Sequence, residues 1–236
     1  MLTASAGSFS SAMFASRIWC LFLGVLSAWA AFVDNPQRRD ALGPLGVTLD
    51  FDFAINYPLP IPPRGQKQVP RNFVYSSHIV LNNPVSRLTD GQLWQIAKDA
   101  HNEVFDDMRQ YDLQRNTKNT PLAMSILAWD NEIILASSQK GQNSFSYGVA
   151  NTPVWQALER CQIVSQREGP NGINRPHKND GKCGEEMASH LYYLFNQGRP
   201  LGERGAVVGT VLGGSPGDDK PQATNPCGIE GEVGSR

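Results

Sequence analysis

An α/β fold is predicted for this chain: a three-layer α-β-α sandwich around a mixed sheet. Three observations predict it. Apolar residues recur at helical spacing in two segments, 90–110 and from Cys183 to Phe195. Between them, residues 122–129 and 132–138 flank Asp130-Asn131 in a hairpin pattern. A further apolar run, 206–212, follows the second helix. A hairpin and then a helical crossover to another strand put helices on the faces of a sheet.

Composition narrows the class. Of 236 residues, 40% are hydrophobic, enough for one core and too many for a disordered chain. The 22 Gly and 16 Pro are scattered without period, which excludes collagen-like and coiled-coil architectures. Lys and Arg total 21 against 22 Asp and Glu, so charge alone does not suit the chain to coat nucleic acid or an anionic membrane.

Residues 1–30 read as a secretory signal. Arg17 precedes the apolar run from Ile18 to Trp29, and Ala28-Trp29-Ala30 is a small-x-small exit. The run is short of the ~20 apolar residues that span a bilayer. The expectation is therefore a secreted, extracellular protein with no membrane segment after cleavage. Cys161, Cys183 and Cys227 then remain, an odd set in which at least one is free, metal-bound or paired between chains.

In chain order, residues 31–87 read as an N-terminal extension. It has a polar, mobile arm at 31–47, a strand at 48–56, a proline run at 58–63 that excludes helix, and a short strand at 72–81. The domain proper is read at 88–236. Thr89 and Gln92 form a capping box that opens the first helix. Leu93, Ile96, Ala97, Ala100, Val104 and Met108 make its apolar stripe. His101, Glu103 and Asp107 fall on the opposite, solvated side. Asp130-Asn131 tolerates the positive φ of a tight hairpin turn. Pro153 suits a first helical turn and opens a helix through Trp155, Leu158 and Cys161. The third helix starts near Cys183, with a stripe of Met187, Ala188, Leu191, Leu194 and Phe195. Residues 206–212 read as a strand buried on both faces.

Chemistry concentrates at Cys183-Gly184-Glu185, which opens that third helix, and at Pro226-Cys227, beyond the next strand. Chain order lets both cysteines meet beside a strand's carboxyl end, where open α/β sheets place their sites. A thiol at a helix N-terminus feels the positive end of the dipole, which favours the thiolate that zinc prefers. Glu185 can face a metal-activated water and carry its proton.

Cys-x-Glu at a helix start, a strand, and then Pro-Cys resembles the zinc-dependent cytidine-deaminase-like superfamily, in particular its divergent secreted and toxin-type members. The Gly-Lys-Cys-Gly-Glu-Glu-Met-Ala run at 181–188 and the hairpin ending Ala136-Ser137-Ser138 carry the likeness. The resemblance implies zinc as cofactor, Cys183 and Cys227 as ligands, and Glu185 as the catalytic acid/base. It implies hydrolysis of an exocyclic amine on a nucleoside, or on a nucleobase in a nucleic acid. Glu230 stands where the family has its last Cys and can ligate through oxygen; Cys161 and His177 are alternative third donors. Gly228, Gly231 and Gly234 disfavour a closing helix, so the family's C-terminal part is expected to be reduced. Two other readings stay open. One is an inactive secreted effector or interaction protein on the same scaffold. The other is an unrelated domain stapled by a Cys161–Cys183 disulfide, which would stabilise by about 3 kcal/mol.

Overall fold

The computed structural model describes residues 38–54, 71–111, 113, 115–168, 177, 179–196, 198–213 and 222–224. Residues 1–30, read above as an export signal, the proline run, Cys227 and Glu230 lie outside the described residues. The described strands are β1 (Thr48–Leu49), β2 (Asn72–Phe73), β3 (Tyr75–Val80), β4 (Ala123–Trp129), β5 (Glu132–Ser137), β6 (Lys140–Gly141), β7 (Val207–Leu212) and β8 (Gln222–Thr224). The helices are α1 (Asp90–Gln110), α2 (Phe145–Gly148), α3 (Pro153–Glu168) and α4 (Gly184–Phe195).

Local signals set several of these bounds. The Thr89 hydroxyl accepts from Gln92 N while the Gln92 side chain accepts from Thr89 N, so the capping box forms as read. Asp130 takes φ 43° in the hairpin turn between β4 and β5. Thr152 caps α3 by accepting from Trp155 N at 3.1 Å.

Six strands form one sheet in the order β1-β3-β5-β4-β7-β8. Every neighbouring pair is antiparallel. Parallel pairing, which a mixed sheet requires, is therefore not found among the described strands. The crossover is present all the same: β5 and β7 both run antiparallel to β4, which lies between them, so they share a direction. The chain passes from one to the other through α3 and α4. Met124, Ile126 and Ala128 of β4 join the core under α1, with Ile133, Leu135 and Val211. Leu127 and Trp129 join the core under α4, with Ile134 and Ala136. Alternate residues of one strand thus serve two cores, which is why β4 reads as a continuous apolar run. The chain is α/β, with helices on both faces of a mostly antiparallel sheet.

The solvated face read for α1 needs correction. His101, Glu103 and Asp107 are buried. The described part of the expected mobile arm is held against the helix: Gln110 Nε2 donates to Asp40 O at 2.9 Å, and residues 45–49 follow it. Leu45 N and Val47 N donate to the two oxygens of Glu103 at 2.8 and 3.1 Å; Leu49 N donates to Asp107 Oδ2 at 2.8 Å. An extended segment sends every second amide to the same side, and two carboxylates one helical turn apart receive them. These carboxylates stand where a further strand would otherwise be needed. Burial raises the Asp107 carboxyl to about 6.

Other readings are shortened. The strand read at 48–56 is ordered as β1 only through Leu49 and turns at 51–53. Leu194 and Phe195 are exposed rather than in the stripe of α4. Val207, Val208 and Leu212 of β7 are also exposed; for Val208 and Leu212, on the α4 face, this is because α4 lies mainly over β4 and β5, while Val207 opens the strand on the α1 face.

Candidate functional site

The site assembles where α4 begins. Cys183 is its N-cap residue, in extended conformation, and is buried. Its side chain makes no capping bond; instead Sγ accepts from the Asn179 side-chain amide at 3.2 Å. Glu186 is the third residue of the helix. The N-cap and third positions face each other in any helix start, so Cys183 and Glu186 meet by spacing alone.

His177 enters from the preceding turn. Asn179 N and Gly181 N both donate to His177 Nδ1 at 3.3 Å, and His177 N donates to the Tyr147 hydroxyl at 3.0 Å. The turn is braced from three sides. Gln139 N donates to Lys182 O at 2.8 Å, and Ser146 Oγ donates to Gly181 O at 2.7 Å. His190 Nε2 lies 3.1 Å from that same Ser146 oxygen and must be the donor, since Ser146 has given its proton to Gly181. Gly181 adopts φ +61°, and a Cβ there would meet Leu158 Cδ1 at 2.9 Å. His190 is buried, and burial lowers its pKa to about 4.

A nitrogen of His177, Sγ of Cys183 and a carboxylate oxygen of Glu186 all lie within 4.8 Å of one another. Nitrogen, sulfur and oxygen are the donor types zinc accepts. Glu186 Oε2 is buried and has no hydrogen-bond partner among the described residues, so a cation would meet an uncommitted oxygen there. Burial, and then the neighbouring charge of Glu185, raises the Glu186 carboxyl to about 7. The ring of His177 fits a supporting place better than a ligand's. With Nδ1 accepting two backbone amides, the neutral ring carries its proton on Nε2, and Nε2 lies 3.4 Å from Glu186 Oε1. Cys183 and Glu186 therefore fit as zinc donors, with His177 holding Glu186.

Glu185 points to a different neighbourhood. Thr210 Oγ1 donates to Glu185 Oε1 at 2.6 Å, and Thr210 Oγ1 lies 2.8 Å from Ser125 Oγ. The carboxylate read as the acid/base is thus anchored to β7 and β4, while its neighbour in sequence faces Cys183. Cys161 and Cys183 are not bonded to each other, so the disulfide of the third reading is absent. Glu186 was not singled out from sequence; its Cys-x-x-Glu spacing at a helix start was the available signal. Ser125 and Thr210 were also missed. They are hydroxyl residues interrupting apolar strands, and only the strand register shows that they pair. Comparisons with family models, with curated proteins and with solved structures found no match.

Proposed function

We propose that the protein is a secreted zinc-dependent hydrolase of the deaminase type, acting on an exocyclic amine of a nucleoside or nucleobase. The observation that carries this reading is the start of α4. A helix N-terminal thiol stands beside a half-buried carboxylate, Glu186, one of whose oxygens is buried and unpartnered among the described residues, and a second half-buried carboxylate, Glu185, follows the thiol by two residues. Cys183 and Glu186 would hold the metal, with Cys227 or Glu230 as further donors. Bound zinc would supply Lewis acidity and a water acidified toward neutrality. Glu185 would be the residue that accepts a proton and returns it to the departing amine. The Asn179 amide donates to Cys183 Sγ, which stands at the positive end of the α4 dipole.

The test uses the full chain, assayed for zinc and for ammonia release from cytidine, adenosine and a single-stranded oligonucleotide. About one zinc per chain is expected. Glu185→Gln should abolish ammonia release while leaving zinc in place. A chain that holds no zinc contradicts the reading, and so does a Glu185→Gln variant with full activity. Zinc without ammonia from any substrate would favour a binding scaffold.

A further inference from the structure

Glu185 is not left to find its own orientation. Ser125 and Thr210 are directly opposite each other in β4 and β7, and their hydroxyls are 2.8 Å apart. Both residues are buried, on the face that carries Leu127 and Trp129 toward α4. A hydroxyl has one proton. Thr210 gives its own to Glu185 Oε1 across 2.6 Å, so Ser125 must donate to Thr210. The chain therefore runs one way, from Ser125 through Thr210 to the carboxylate. The backbone lets it form: a Cβ on Gly184 would lie 2.5 Å from Ser125 Oγ and 2.8 Å from Ala136 O. Only a glycine between Cys183 and Glu185 brings the helix start this close to the two strands.

We propose that Ser125 and Thr210 are positioning residues for Glu185. They fix Oε1 to the sheet and leave Oε2 as the oxygen that handles the substrate's proton. This rests on the hydrolase reading for the role of Glu185, but the placement itself does not. For packing alone the buried hydroxyl pair is not required, since Val and Ala would fill the same space; what it meets at the helix start is the Glu185 carboxylate. As an anchor it removes the rotamer freedom of a partly exposed glutamate, and misplacement by ~1 Å can cost about 100-fold in rate.

The experiment compares wild type with Thr210→Val, Thr210→Ser and Ser125→Ala in the full chain. It measures zinc content, the kinetics of ammonia release from whichever of cytidine, adenosine or oligonucleotide is turned over, and the crystal structure of each variant. Thr210→Val should lower kcat about 10- to 100-fold with KM and zinc content unchanged. Thr210→Ser should recover to within about threefold of wild type, since the donor returns. In the Thr210→Val crystal, Oε1 of Glu185 should leave its place by more than ~1 Å. An unchanged rate, or a carboxylate still in place, overturns the proposal. If wild type releases no ammonia from any of these substrates, the hydrolase reading fails separately. The crystals alone then decide: a displaced Glu185 sustains the anchoring, and an undisturbed one ends it.

Discussion

His177 Nε2 lies 3.4 Å from Glu186 Oε1, and the ring's other nitrogen is already occupied by two backbone amides. The ring is thereby set as a donor to the carboxylate. A ligating carboxylate is commonly held this way by a neighbour that never touches the metal. The expected order of effects on zinc affinity follows. Cys183→Ala and Glu186→Gln should each weaken binding by more than about 100-fold, and His177→Ala by about 10- to 100-fold. Competition against a chromophoric chelator measures all three. Wild-type affinity in Glu186→Gln would remove that residue from the metal site.

His190 makes stability pH-dependent on the acid side. Its folded pKa is lowered to about 4 by burial, from an ordinary 6.5. As pH falls from 6.5 toward 4 the unfolded chain takes a proton that the folded chain refuses, and stability is lost, by at most roughly 3 kcal/mol. Asp107 and Glu186 act in the opposite sense. Their raised values add stability below the unfolded carboxyl pKa, and it is lost as pH rises through about 6 and about 7. The difference between wild type and His190→Gln isolates the histidine. Urea midpoints at several pH values should show the variant losing less stability between pH 6.5 and 4.

Glu103 accepts two backbone amides of the 38–54 segment. Removing the carboxylate strands both donors in a buried place. Glu103→Ala should destabilise the fold by roughly 2–4 kcal/mol, most of it from the unmet amides. Hydrogen exchange should locate the loss: Leu45 and Val47 amides should exchange faster, whereas β4 amides keep their protection at matched stability. Uniform loss of protection across the chain would contradict a local tether.

Gly184→Ala should be poorly tolerated. The new methyl would meet Ser125 Oγ and the backbone carbonyl of Ala136, and the carbonyl belongs to a central strand that cannot move aside. A cost of about 1–3 kcal/mol is expected in denaturant unfolding. Adding Ser125→Ala should recover only part of it, since the carbonyl remains. Full recovery would show that the serine alone sets the spacing.

Much of the fold was legible because it rests on local rules. The α1 capping box, the Asp130-Asn131 turn and the start of α3 at Pro153 all appear where adjacent residues require them. Periodicity also identified the buried positions of α1 under the sheet. It failed for Glu103 and Asp107, because a hydropathy pattern records which side chains avoid water when nothing else is near. It cannot register that a distant extended segment brings unpaired amides to them.

At the site, the sequence by itself determined that Cys183 would sit at a helix start with two acids behind it, since N-cap and first-turn chemistry are local. The same local spacing sets Glu186, the third helical residue, against the thiol. Tertiary structure decided what Glu185 meets. Helical geometry sends consecutive side chains about 100° apart. Glu185 therefore meets Thr210 and Ser125 across the sheet, while Glu186 turns to Cys183 and His177. The partners of Glu185 depend on strand order and register, which no run of neighbouring residues encodes.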